Sequence, residues 1–211
     1  MNNRKSHCNG FSLAELIIAL MVTSIVLTAA VTLSYALSSA YDSTGDIGEK
    51  QAQVRYTNMR ITELIRHSML ICAWFYGDLV VWRADDNADN QINVSEVVYI
   101  ETGFGGSYIR LLQFTPNAGD DQNISLNLVQ RSYLKSVLSS RYPQVRTTLI
   151  EKCDGVKIIL DDYPPYTKLV NIMFSIEEHN QVRTYQISTN LRCWAGHLIK
   201  TSSELVTQDD D

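Results

Sequence analysis

Two stretches of this chain combine residue types that do chemistry with a spacing that lets them act together. The first is Glu15. It stands at the head of Leu16 to Tyr41, 26 residues without Asp, Glu, Lys or Arg. A carboxylate at the start of an apolar segment is unfavourable unless something pairs with it, so such a group points to a partner. The second is Asp85-Asp86-Asn87-Ala88-Asp89-Asn90-Gln91-Ile92-Asn93-Val94-Ser95-Glu96. With Asp85 as the first residue, Asn87, Asp89, Asn93 and Glu96 fall third, fifth, ninth and twelfth. Gln91, seventh, needs only its backbone carbonyl. This is the oxygen pattern of a twelve-residue calcium loop, in which alternate side chains of a curled chain face the ion. Ile92 falls eighth, where such loops carry an apolar residue. Asn90 stands sixth, where glycine is expected, and Asn tolerates the left-handed conformation better than most residues. Moving the register by one puts Ala88 at a ligand position. The competing reading is a solvated, Asn/Asp-rich hairpin loop.

Other chemistries find little support. His7, His67, His179 and His197 show no HExxH spacing, and there is no Gly-x-Ser-x-Gly elbow. Gly103-Phe104-Gly105-Gly106-Ser107 lacks the Lys-Ser/Thr of a phosphate cradle and reads as a turn. No enzyme activity is expected. Lys and Arg number 18 against 23 Asp and Glu, a formal charge of -5, which argues against a general nucleic-acid binder.

The elements that position these residues follow from periodicity. At ~1.5 Å per residue the uncharged run makes roughly 39 Å of helix, enough to cross a bilayer core of ~30 Å. Arg4 and Lys5 precede it, which keeps the amino end cytoplasmic and exports the rest. Its length exceeds the apolar core of a signal peptide, although Ala36 and Ser38 resemble a cleavage site. Beyond Asp42, Ile47, Val54 and Ile61 recur every seventh residue, and Leu64, Ile65 and Met69 continue the stripe. One long helix over 11–70 is therefore predicted, spanning a membrane at about 14–40 and packing its exported half on a head over 71–203. Strands are predicted at 79–82, 97–100, 108–114, 147–150 and 156–160, with a hairpin of 168–176 and 182–191 around His179-Asn180. A helix is predicted within 125–140. The fold class is α+β, an antiparallel sheet head on a long helix, with an acidic flexible tail at 204–211.

The residues Gly10-Phe11-Ser12-Leu13-Ala14-Glu15, followed directly by the apolar run, resemble the start of the type IV pilin and pseudopilin superfamily. In that family a short basic leader ends in Gly, Phe follows, then Ser or Thr, and Glu stands fifth after the cut. The resemblance implies removal of residues 1–10 by a prepilin peptidase, cutting between Gly10 and Phe11, and methylation of the new Phe11 amine. It implies a pilin-like fold and a helix that packs with those of other subunits in a filament of a type IV pilus or type II secretion system. Glu15 would then pair with the Phe11 ammonium of a neighbour inside the apolar bundle and set the axial register. Losing Arg4 and Lys5 takes the formal charge to -7. The expected partners are pilin-like subunits, the peptidase and the inner membrane, which the chain crosses once with its head in the periplasm. The order of helix, strands and a closing hairpin with Arg192 near its end resembles the larger minor pseudopilins. Calcium in head loops also occurs among pilin-like proteins.

With Cys8 removed, Cys72, Cys153 and Cys193 would face an oxidising compartment. Cys153 and Cys193 both border predicted strands and are the candidate disulfide. Cys72, within Met69-Leu70-Ile71-Cys72-Ala73-Trp74, reads as a buried thiol. Two other functional classes stay open: a tip adhesin or ligand-binding module with a calcium-ordered loop, and a membrane-anchored periplasmic protein outside any filament.

Overall fold

The computed structural model describes residues 12–178 and 181–205 of the chain. The chain divides between Gly48 and Glu49 into two units. Helix α1 runs from Leu13 to His67. Its part in the first unit includes Leu13–Ser39, 27 residues long and apolar enough to cross a membrane. Its bounds lie within a residue of the apolar stretch read from the sequence at about 14–40.

The second unit begins with the last turns of α1 and, among the described residues, continues through twelve strands and two short helices. In chain order these are β1 (Leu70–Phe75), β2 (Asp78–Trp82), β3 (Ile92–Asn93), β4 (Val97–Glu101), β5 (Ile109–Phe114), β6 (Asn123–Ile124), α2 (Leu126–Val129), α3 (Leu134–Arg141), β7 (Gln144–Ile150), β8 (Asp154–Leu160), β9 (Leu169–Glu178), β10 (Gln181–Asn190), β11 (Ile199–Thr201) and β12 (Glu204–Leu205). A five-stranded antiparallel sheet has the order β1-β2-β4-β5-β7, and a second has the order β10-β9-β8. The pairs β3–β6 and β11–β12 stand apart.

The five-stranded sheet is covered on both faces. Along β4, Val98 and Ile100 join one core with Ile61 and Ile65 of α1 and with Ile172 and Phe174 of β9. Val97 and Tyr99 join the other, with Leu126 and Val129 of α2 and Leu134 and Leu138 of α3. A strand buried on both sides reads as a continuous apolar run, and 79–82 and 97–100 do so. The second sheet buries one face only. Hence β9 alternates, with Val170, Ile172, Phe174 and Ile176 inside.

Val54, Ile61, Leu64 and Ile65 of the predicted stripe are the core face of α1; Met69 falls beyond the helix end, and the side chain of Ile47 lies outside the described residues. Ile61 and Ile65 are fully buried, and Val54 and Leu64 pack beside them. Burying an isoleucine side chain of this kind contributes about 1.5–3 kcal/mol. Thr57 donates from Oγ1 to the Leu149 carbonyl (3.0 Å), and the Arg192 N–H donates to the Arg66 carbonyl (3.1 Å), which tie the helix to β7 and to the exit of β10.

Four expectations need correction. The helix ends at His67, and Leu70–Phe75 form an unforeseen strand, closed onto β2 by Tyr76-Gly77 with φ of 52° and 87°. Both residues of such a tight hairpin turn take positive φ. The predicted helix within 125–140 is two helices, α2 and α3, interrupted at 130–133. Glu204 and Leu205, assigned to the tail, pair with β11; the remainder of that tail and the turn at His179-Asn180 lie outside the described residues. The expected Cys153–Cys193 bridge is not formed. Cys153 is buried with its Sγ donating to the Gly106 carbonyl (3.5 Å), whereas Cys193 is exposed, and both are free thiols, as is Cys72.

Candidate functional site

Ser12 and Glu15 open the long helix. The Ser12 N–H donates to Glu15 Oε2 (3.0 Å), and the Glu15 N–H donates to Ser12 Oγ (3.2 Å). This is a capping box, Ser-x-x-Glu, in which two orphan N–H groups of the first turn are satisfied reciprocally. The negative charge also lies at the positive end of the helix macrodipole. From sequence, Glu15 reads only as an acid awaiting a partner on another chain. The Ser-x-x-Glu spacing was the overlooked signal for this second role. Gly10 and Phe11 lie outside the described residues.

Downstream of Glu15 the helix exposes one apolar side chain after another, Leu16, Ile17, Ile18, Leu20 and Met21 among them. Its hydroxyls turn inward. Thr23, Ser24, Thr28 and Thr32 each donate to a carbonyl three or four residues back, at 2.8–3.0 Å. A hydroxyl satisfied by its own helix leaves no unpaired donor in hydrocarbon. The segment suits lipid or the apolar faces of other helices.

The loop after β2 gathers the second set of residues. Asp85 Oδ1 accepts from the Asp89 N–H (3.1 Å), and Oδ2 accepts from the Asn90 N–H (2.9 Å). Asn87 Oδ1 accepts from the Asp89 N–H (3.1 Å), and Asp89 Oδ1 accepts from the Gln91 N–H (2.8 Å). Asn90 takes the left-handed position, φ 57°, where glycine was expected, and Ala88 does the same at 60°. Ile92 pairs with Ile124 of β6 and ties the loop down. Ser95 is held from outside by Asp121, through its N–H (3.1 Å) and its hydroxyl (2.5 Å), a contact not foreseen from sequence.

Glu96 is 1% exposed and turns inward. Its Oε2 accepts from Trp82 Nε1 (2.9 Å) and the Asn93 N–H (3.1 Å), and its Oε1 accepts from the Asp86 N–H (2.7 Å). Burial raises its pKa above the ordinary glutamate value; these three bonds pull it down and the Asp85 charge pushes it up, with a net rise. Asn93 and Glu96 stand in a capping-box arrangement, but only the bond to Glu96 Oε2 is made. Asn93 Oδ1 is buried without a hydrogen-bond partner.

Thus Asp85, Asn87, Asp89 and Gln91 lie in the loop, whereas Asn93 ends β3 and Glu96 closes the short 3-10 turn Val94–Glu96. Their acids do not close on one point: among the described residues, no three His, Cys, Asp or Glu side chains form a metal-holding group. The donor set still fits a hard cation, because each carboxylate oxygen has two acceptor sites and most here use one.

A third cluster is structural. Glu101, 2% exposed, faces Arg110 and accepts from Lys135 (2.6 Å), which also reaches Asp78 (2.5 Å). Burial pushes the Glu101 carboxyl up, but bonds and charges from Lys135 and Arg110 outweigh it and hold the pKa below the ordinary value. The cluster docks α3 on the sheet. Burial pushes the Cys72 thiol up to about 12 and the Cys153 thiol to about 11, so neither is a thiolate nucleophile near neutrality.

Residues 5–31 match the family model described as the prokaryotic N-terminal methylation motif. No curated protein and no solved structure matches the chain.

Proposed function

We propose that this chain, which carries the type IV pilin and pseudopilin signature at residues 5–31, is a non-catalytic minor subunit of a type IV pilus or type II secretion filament. The observation that carries the reading is the methylation motif set directly on an exposed apolar helix with Glu15 in its first turn. A prepilin peptidase cuts after Gly10, and the Phe11 amine is methylated. The helix holds the chain in the inner membrane with the head in the periplasm, and then packs among helices of other subunits.

The capping box adds a step to this mechanism. Before assembly Glu15 is occupied by the Ser12 N–H, so its charge is not bare at the edge of the bilayer. Pairing with the Phe11 ammonium of a neighbour exchanges a neutral donor for a charged one, and charge-assisted bonds are roughly twice as strong as neutral ones. Glu15→Ala removes both cap and acid, and Ser12→Ala removes only the cap's hydroxyl. Filament incorporation, read by shearing and immunoblotting, is expected to collapse in the first and to survive in the second. Equal incorporation of Glu15→Ala and wild type would mean that the helix is only an anchor.

The Asp85–Glu96 loop favours calcium as a stabiliser of the head. Asp85, Asn87, Asp89, the Gln91 carbonyl, Asn93 and Glu96 would hold it, and the ion would draw their oxygens inward and neutralise the acids. Support comes from the ligand spacing, the positive φ of Asn90 and the orphaned Asn93 Oδ1. Thermal melting with calcium and with chelator tests it. Coincident curves, with no calcium by elemental mass spectrometry, contradict it.

A further inference from the structure

The outer side of α1 in the second unit is basic, against the net negative charge of the chain. Arg55, Met59, Thr62, Arg66 and His67 of α1, with Arg192 beyond β10, line a groove of about 480 Å³. The first four recur every three or four residues and so form one stripe. Among the described residues, Arg55, Arg66, His67 and Arg192 make no side-chain hydrogen bond or ion pair. The acid on this groove, Glu63, is engaged by Arg60 at 3.4 Å. Arg66 Nε is buried with no hydrogen-bond partner. The backbone bond from Arg192 to Arg66 sets these two residues side by side. Between the cations lies Met59, 59% exposed.

Unpaired arginines in a concave site are donors without acceptors, and the planar guanidinium matches a carboxylate bidentately. Met59 gives the site an apolar floor, which suits a polypeptide better than a flat anionic surface. We propose that this groove docks an acidic segment of a neighbouring filament subunit, with carboxylates on Arg66 and Arg192 and an apolar side chain on Met59. The partner's identity as a filament subunit rests on the functional reading above.

The test uses the full chain in its native membranes, with Met59 replaced by the photo-crosslinker p-benzoylphenylalanine. The expected adduct maps by mass spectrometry to an acidic stretch of another chain with a pilin-type amino terminus. Arg66→Glu with Arg192→Glu should lower its yield at least about tenfold, and changing the mapped acids to Lys should restore it. Arg66→Gln with Arg192→Gln, checked for an unchanged melting temperature, replaces the reversal if the Glu variant fails to fold. No adduct, an adduct to phospholipid alone, or a yield insensitive to charge overturns the proposal. Glu15→Ala separates the two failures. If it stops incorporation while the adduct ignores the arginines, the groove proposal alone fails. If incorporation ignores Glu15, the filament reading fails whatever the arginines do.

Discussion

Glu96→Gln is the sharpest probe of how the loop is held. The carboxylate serves three donors, with Trp82 Nε1 and the Asn93 N–H on Oε2 and the Asp86 N–H on Oε1. Gln keeps its oxygen where two donors meet and places its amide against the Asp86 N–H. One bond of 2.7 Å is lost and two pass from a charged to a neutral acceptor. A hydrogen bond to a charged group contributes about 1.5–3 kcal/mol, and the neutral amide recovers part of this because a buried carboxylate is itself disfavoured. The expected loss is roughly 2 kcal/mol. For a chain of this size that lowers Tm by about 4–8 °C. Glu96→Ala should lose more, because the Trp82 indole N–H and the Asn93 N–H are then buried unpaired. Circular-dichroism melts of the full chain in detergent, with chelator present, measure both. A Gln variant within ~1 °C of wild type, or Gln and Ala losses that coincide, would refute the claim that these three bonds hold the loop.

Three further outcomes follow from the packing. Glu101 has a depressed pKa in the folded state, so its stabilisation is present above the ordinary glutamate value near 4.5 and is lost as pH falls through the folded value. Melts stepped from pH 6 towards 3 should show wild type losing stability more steeply than Glu101→Gln. Gly106 has φ +75°, and a Cβ there would lie 2.4 Å from the Val156 backbone nitrogen, so Gly106→Ala should destabilise by several kcal/mol in denaturant titration. Iodoacetamide on the native head should label Cys193 and spare Cys72 and Cys153, as read by peptide mass spectrometry.

Where the sequence was legible, the reason is physical. A strand buried on both faces, such as Val97–Glu101, cannot hide its apolar run, and the seven-residue recurrence of Val54 and Ile61 marks one side of a helix wherever it packs. Leu70–Phe75 was missed because it follows the end of the helix after only two residues and directly continues the apolar stripe through Met69, so its residues suit either element. The turn that decides the matter, Tyr76-Gly77, has a Tyr at a positive φ that only the fold imposes. The loop ligands were legible by spacing, but the inward turn of Glu96 depends on Trp82, fourteen residues away. The cluster of Asp78, Glu101, Arg110 and Lys135 was invisible for the same reason, since its members come from four different elements. Glu15 was found through the apolar run behind it, whereas its bond with Ser12 was overlooked although the spacing carried it.

The proposed assembly mechanism depends on a free amine one residue before Ser12. Intact-mass and fragment-ion analysis of the polypeptide recovered from its own membranes reads this directly. The expected result is a chain that begins at Phe11 with one methyl group on its nitrogen. A chain that still begins at Met1, or one trimmed near Ser38, would leave Glu15 without that amine and contradict the account.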